Sequence, residues 1–426
     1  MRVSVGGGAG SRRNVAREGC FSISMSADDW IGTLEMGVRT TETSTRVDAT
    51  PWDWRPRIVY VTDWLPPHFS AVSQYALQWA ERMASAGHDV VVVGLDPDRS
   101  DDVRSDHGSG SVRVVRLRRR MPSKSNWLKR LVWSYRTGAT LTKTVSRLAT
   151  RETDVVFTGS PPFLLHVIWV LKFGPARLTY RIADFYPEVI VAALGRSNPV
   201  FGAIQVLTNV LRRRVDRFEV LGEDQAHRLM AIGLPPTSMR LARDTSPVPM
   251  DRDARPLARP AAAGNAPLLL YSGNLGVAHD WETVLEGYQR HRAAGGTTLL
   301  WLSAQGSGLD ALVAALDARG LPYVLTPLVP LADLASLLVT PDGHLVTLKQ
   351  GFAGLVLPSK VYGCLLSGKP LVFVGPEASD VHLLATEAGN PYAHVDNADA
   401  KAFAESLAWI ETMASRTPIS EHDRAK

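Results

Sequence analysis

The segment from Gly351 to Val374 constrains the fold more than any other part of the chain. A glycine-rich run, Gly351-Phe352-Ala353-Gly354-Leu355-Val356-Leu357, leads into Pro358-Ser359-Lys360, which opens a short apolar helix. Gly368-Lys369-Pro370 stops that helix, and an apolar strand, Leu371 to Val374, begins at once. Pro near a helix start, Gly just past its end and Pro after that are the expected punctuation. Loop, helix and strand in this order make an αβ unit of a parallel sheet. A glycine-rich loop at a helix N-terminus also offers backbone N–H groups and the positive end of the dipole, which suits a pyrophosphate. Lys360 places a full cation in the first turn, where positive charge is normally unfavourable, and a bound anion would explain it.

The same alternation recurs in two series. In the first, Ile58-Val59-Tyr60-Val61 is an apolar strand. Ser73 to Ala86 carries Tyr75, Leu77, Trp79 and Met83 at helical spacing, and Gly87 ends it. Val90 to Val93 is a continuous apolar run of the kind found in a buried parallel strand. Further strands are expected at Asp154 to Thr158, Arg177 to Ile182 and Arg217 to Leu221. A Pro/Ala/Gly-rich linker, residues 255–267, marks a domain boundary. Beyond it the strands Leu268 to Tyr271, Leu299 to Leu302, Tyr323 to Leu325, His344 to Val346 and Leu371 to Val374 alternate with helical segments. The spacing predicts domains over 56–254 and 268–398, then an amphipathic helix, Ala400 to Met413, within a tail from 399 to 426.

A chain of 426 residues has ample material for two such cores. Its 45% hydrophobic and 21% charged content is that of a globular enzyme. Cys20 and Cys364 give neither a metal-binding spacing nor a disulfide framework, so a reducing cytoplasm fits. No apolar run reaches the roughly 18 residues that span a bilayer. Residues 1–55 are rich in Gly, Ser, Thr and Arg without sustained period, and are expected to be disordered. Gly6-Gly7-Gly8-Ala9-Gly10 follows too few residues to form a strand and misplaces its third glycine, so it is not a dinucleotide loop. Met25 and Met36 offer later starts for an over-extended reading frame.

The run Gly354-Leu355-Val356-Leu357-Pro358-Ser359-Lys360 resembles the donor loop of glycosyltransferase family 4, in the branch that carries Gly-Leu-Val-x-Pro-Ser-Lys. The resemblance extends in the family's order from Arg57 to about Asn397. Tyr60-Val61-Thr62-Asp63 with Pro66-Pro67-His68 is similar to the family's opening, although Ser70-Ala71 stand where two glycines are usual. Asp184-Phe185-Tyr186-Pro187-Glu188 resembles its Asp-Leu-Trp-Pro-Glu signature, with Ala183 where a histidine is common. The resemblance implies the GT-B architecture, two Rossmann-like α/β domains facing across a cleft, with the last helix crossing back to brace the first domain. It further implies a retaining glycosyltransferase that takes a nucleotide-activated sugar, without a metal or other cofactor.

Residue by residue, the resemblance assigns the donor phosphates to Gly351, Phe352, Gly354, Leu355, Ser359 and Lys360, and to the facing turn Gly273, Asn274 and His279. Family members often hold the phosphates there with Arg and Lys; Asn274 and His279 occupy those positions here, and Lys360 would bring the missing cation. Asp184 is the catalytic candidate beside Lys360 and, with His68, the acceptor-side candidate; its other reading is a helix cap or turn residue. The glutamate that commonly binds the ribose is replaced by Gly363, and Glu377 is a substitute contact or a surface residue.

From Val112 to Thr150 there are eleven Arg or Lys residues and no acidic residue, interleaved with Trp127, Trp133 and Tyr135. A helix of this kind suits an anionic bilayer surface, a solvated face or an acidic acceptor; no nucleic-acid motif accompanies it. The expected partners are therefore a nucleotide sugar and a glycan, lipid-linked or small-molecule acceptor. The expected function is envelope-glycan or glycolipid synthesis at the inner face of the membrane. Glycosylation of a soluble natural-product core, such as an aminocyclitol, and non-catalytic nucleotide-sugar binding are the alternatives. A Rossmann oxidoreductase is disfavoured, since no complete G-x-G-x-x-G follows any expected strand.

Overall fold

The computed structural model describes residues 52–66, 71–120, 127–159, 176–195, 199–248, 250 and 254–416. His68 and residues 1–51 lie outside them.

Two parallel sheets organise the chain. The first contains β1 (Arg57–Trp64), β2 (Asp89–Asp96), β3 (Asp102–His107), β4 (Gly110–Arg118), β5 (Thr153–Phe157), β6 (Arg177–Ile182), β7 (Arg217–Val220) and β8 (Met239–Leu241), in the order β3-β4-β2-β1-β5-β6-β7-β8. All neighbours are parallel except β3 and β4, which form an antiparallel edge hairpin. The second sheet contains β9 (Leu268–Asn274), β10 (Leu299–Gln305), β11 (Val324–Leu325), β12 (Gly343–Thr347), β13 (Leu371–Val374) and β14 (Tyr392–Val395), in the order β11-β10-β9-β12-β13-β14. Central strands such as β1, β2, β9 and β13 are apolar on both faces because helices cover both faces, whereas the edge strand β3 is polar and exposed. On the first sheet, α1 (Ala71–Ser85) closes one core with Trp79 and Ala80. The opposite core takes in Leu141 and Val145 of α2 (Trp127–Leu148), Val189 of α3 (Glu188–Leu194), Leu211 of α4 (Pro199–Arg212) and Ala226 of α5 (Glu223–Ala231). The second sheet carries α6 (Trp281–Ala293), α7 (Ser307–Ala318), α8 (Leu334–Val339), α9 (Lys360–Leu366), α10 (Asp380–Ala388) and α11 (Ala400–Arg416).

Four expectations are corrected. Residues 52–55, assigned to a disordered extension, pack on the first sheet. Trp54 meets Trp79 edge-on at 5.4 Å, Arg217 lies 5.0 Å from the Trp52 ring, and the Arg55 amide donates to Asp154 at 2.9 Å. The second correction concerns the basic stretch, which is not one surface helix. Its first part is β4, whose Arg113 and Arg116 pair with Asp102 (2.5 Å) and Asp101 (3.0 Å) across the hairpin. Third, Trp133 is half-buried and stacks on Trp64 at 5.9 Å, so it belongs to the core margin and not to a bilayer interface. Last, α11 does not brace the first domain with its apolar face. Phe403, Leu407 and Ile410 are buried in the second sheet's core, and Glu411 accepts from the Thr298 amide at 2.8 Å.

Among the described residues no helix is long and apolar enough to cross a membrane, and no group of three or more His, Cys, Asp or Glu side chains is placed to hold a metal ion.

Candidate active site at the junction of the two sheets

The glycine-rich run is the main joint between the two sheets. Leu355 O accepts from the Phe185 amide at 2.8 Å, and Asp184 and Val356 form an isolated antiparallel bridge. Ala353 O accepts from Arg228 Nε (3.1 Å) and Nη2 (2.6 Å), and the Gly354 amide donates to Asp224 Oδ2 at 3.0 Å. Gly354 has φ +66°, and a Cβ there would lie 2.8 Å from both Arg228 Nε and the Asp224 carbonyl. Only glycine meets both demands. Beside this contact, α5 and α10 cap each other. Asp380 Oδ1 accepts from the Glu223 amide at 3.0 Å, and Asp224 Oδ2 accepts from the Asp380 amide at 3.2 Å. Arg243 pairs with Asp380 at 3.2 Å and balances the two carboxylates. Phe352, Gly354 and Leu355, expected in a phosphate cradle, are thus buried in the joint, with the Gly354 N–H already engaged. Gly351 alone of the run's glycines is exposed.

What the structure does gather is a cluster around Tyr271. Lys360, at the first position of α9, holds its Nζ 3.5 Å from the centre of the Tyr271 ring and 3.3 Å from Asn274 O. The Tyr271 hydroxyl donates to the same carbonyl at 2.9 Å. His279 stands edge-on to that ring at 5.9 Å, its Nδ1 2.6 Å from Thr347 O. Nδ1 must therefore carry the proton, which leaves Nε2 as an acceptor. Burial, aided by Lys360, pushes the His279 pKa down to about 3, so the ring is neutral. Burial also pushes Lys360 down to about 7. Asn274 sits at the end of β9 after Gly273 (φ +93°), and Ser359 lies beside the Tyr75 phenol of α1. The sequence pointed to Asn274, His279, Ser359 and Lys360; Tyr271 read only as a buried strand residue.

Gly363 faces Leu338 of α8, and a Cβ there would come within 2.9 Å of Leu338 Cδ1. A side chain at this position would have to displace the tip of Leu338. Glu377 is exposed.

Across the joint, Asp184 lies two residues beyond the end of β6. It does not cap α3, whose N-cap is Pro187 with no side-chain cap bond. Burial alone pushes its carboxyl up to about 6. Tyr186 is pushed up to about 12 by burial, then by Asp184 and Asp63. The loop is held from beneath by Arg212, whose guanidinium donates to Tyr186 O (2.7 Å) and to Glu188 (2.5 and 3.1 Å). Nothing in the sequence separated Arg212 from the other arginines at the end of α4. Its pairing with a carboxylate 24 residues earlier is a tertiary fact. Next to Ala183, a cavity of about 20 Å³ lined by Tyr60, Tyr75, Thr158, Arg181 and Asp244 is the size of one water.

No family model matches the chain. It is similar to the Escherichia coli K12 protein WcaI, named as a colanic acid biosynthesis glycosyl transferase. The two are 25% identical over 329 residues, 71% of this chain and 79% of WcaI. It is also similar to the Pseudomonas aeruginosa protein WbjE, named as a glycosyltransferase. That identity is 26% over 255 residues, and the match spans 56% of this chain and 62% of WbjE. Among solved structures, the UDP-forming α,α-trehalose-phosphate synthase of Burkholderia xenovorans aligns with TM-score 0.58 at 12% identity, covering 82% of this chain and 91% of that one. The Escherichia coli structure bound with UDP-2-fluoro glucose aligns with TM-score 0.56 at 11% identity, covering 84% and 94%. The chain therefore has a GT-B-like fold of two parallel-sheet α/β domains, and over most of its length it is similar to glycosyltransferases.

Proposed function

We propose that the protein is a retaining glycosyltransferase that moves a sugar from a nucleotide-activated donor to an acceptor hydroxyl in cell-envelope glycan assembly. The observation that carries this reading is the Lys360–Tyr271–Asn274 cluster, at the strand ends of one sheet and joined through Val356 to the Asp184 loop of the other. Ligands of open α/β sheets collect at such carboxyl ends. The likeness to WcaI points to an envelope glycan as product.

In this mechanism the donor diphosphate lies against Lys360, Ser359 and the Asn274 turn. The Lys360 ammonium meets charge as it develops on the departing phosphate, a role that grows from ground to transition state. The neutral His279 contributes an acceptor at Nε2. Asp184 aligns sugar hydroxyls, and the donor's own phosphate takes the acceptor proton on the same face, which retains the anomeric configuration. The protein's largest contribution is positioning both sugars. The acceptor is lipid-linked, and the enzyme works at the cytoplasmic face of the membrane.

A non-catalytic nucleotide-sugar binder is the second reading, favoured by Gly363, Asn274 and His279 standing where the resemblance would put a glutamate and a basic pair. Incubation with a panel of nucleotide sugars separates the two. One donor should be hydrolysed slowly to nucleoside diphosphate. Binding of a donor without any turnover, with or without acceptor extracts, would leave the binder reading; no binding of any nucleotide would remove both.

A further inference from the structure

Helix α4 is built inside out. Its buried positions are Thr208, Leu211 and Arg212. Arg212 is fully enclosed, paired with Glu188 and 5.0 Å from the Phe185 ring. The outward face shows Val206 at 65%, Leu207 at 49% and Val210 at 45% exposure, and Leu194 at the end of α3 is 53% exposed. Positions 203, 206, 207 and 210 form one stripe at helical spacing, and Ala203 on it is exposed as well. A helix facing water has the opposite arrangement, so a buried arginine behind an exposed aliphatic stripe points to a partner.

Charge narrows the partner. Between residues 189 and 215 the sequence has four arginines and no Asp or Glu. Arg213 and Arg214 are exposed directly beyond the stripe. Helix α2 packs in the same core as α4, contains no acidic residue, and exposes Val132 and Tyr135. In a two-fold interface between copies, this patch would set like charges against each other. A bilayer bearing anionic headgroups satisfies both stripe and arginines.

We propose that the outward face of α4, with the end of α3, seats on an anionic lipid surface, with Val206, Leu207 and Val210 at the acyl boundary and Arg213 and Arg214 toward the headgroups. The inner face of the same helix grips the catalytic loop through Arg212, on Tyr186 O and Glu188. A bilayer under α4 therefore fixes the Asp184 loop at the lipid surface. This purpose rests on the lipid-linked acceptor of the proposed function; the binding itself does not.

The test is flotation of the full chain with vesicles of phosphatidylcholine alone and of phosphatidylcholine with phosphatidylglycerol. The wild-type protein is expected to float only with phosphatidylglycerol and to detach as salt rises. Combined Val206→Ser, Leu207→Ser and Val210→Ser replacement is expected to cut the bound fraction at least about tenfold, with the unfolding midpoint and donor hydrolysis unchanged. Should the triple variant misfold, Leu207→Ser alone is expected to cut it by roughly threefold. Absence of wild-type flotation, or equal flotation of the variants, overturns the proposal. So does a solution dimer that the triple variant dissociates, because the stripe would then face a second copy. Donor hydrolysis lost while flotation persists counts against the transferase reading alone.

Discussion

Asp184 and Asp224 lie on the same edge of the first sheet, and burial pushes both carboxyls up to about 6. Their surroundings differ. Asp224 accepts from the amides of Gly354 (3.0 Å), Asp380 (3.2 Å) and Gln225 (2.7 Å), so it is a structural tie that closes the joint. The Asp184 shift has burial as its sole cause, and the side chain caps nothing. A raised pKa marks a candidate site only when hydrogen bonds do not already account for the group. By that criterion Asp184 is the candidate for chemistry and Asp224 is not.

The comparison breaks first at Asp184. Replacement Asp184→Asn is expected to lower turnover by about 10²-fold, the loss that misplaced sugars bring, while the protein becomes slightly more stable above pH 6. The sign follows from linkage. Between the ordinary carboxylate range and about 6 the folded protein keeps a proton that the unfolded chain has released, so stability falls as pH rises through that window. Removing the carboxyl removes that loss. Unchanged kcat in a steady-state assay would return Asp184 to an architectural role.

Lys360→Ala should weaken nucleoside diphosphate binding by about 1.5–3 kcal/mol and leave nucleoside binding nearly unaltered. Because Lys360 is held down to about 7, diphosphate affinity should decline as pH rises above that value, and binding should take up a proton. Calorimetry in buffers of different ionisation enthalpy reads both effects. Equal affinity in wild type and variant would sever Lys360 from the phosphates.

Asp224→Ala should cost about 1–3 kcal/mol in urea unfolding, since it strands the Gly354 and Asp380 amides, and should preserve the Lys360-dependent affinity. A loss of binding as large as that of Lys360→Ala would join the two regions that are separated above. The smallest effect concerns the N-terminus. A chain beginning at Trp52 should keep its melting midpoint, whereas one beginning at Pro56 loses the Trp54–Trp79 and Arg55–Asp154 contacts and should melt a few degrees lower. Equal midpoints would show that these contacts carry no net stability.

Much of this architecture was legible in local pattern. Short continuous apolar runs bounded by turn residues, such as Val90 to Val93 and Leu268 to Tyr271, read as strands covered on both sides, and Gly368 (φ +69°) with Pro370 stops α9 where the punctuation places it. The turn after β9 and the lysine opening α9 also pointed to residues that the fold brings together around Tyr271, because loop chemistry at strand ends is written in consecutive residues. The edge hairpin was obscured by its charge: alternation in β4 reads as a basic stretch until Asp101 and Asp102 are seen opposite it. Partners distant in sequence were beyond reach. Gly354 meets Asp224 across 130 residues, and that meeting turns a glycine-rich loop from a free anion cradle into a joint. The direction in which α4 faces was equally a tertiary decision. A helix with valines on one side and arginine on the other would ordinarily bury the valines, and only the pairing of Arg212 with Glu188 and Tyr186 O turns the charge inward. Period and punctuation act over a few residues and are set by backbone geometry. Which carboxylate satisfies which amide is settled only when two sheets close on each other.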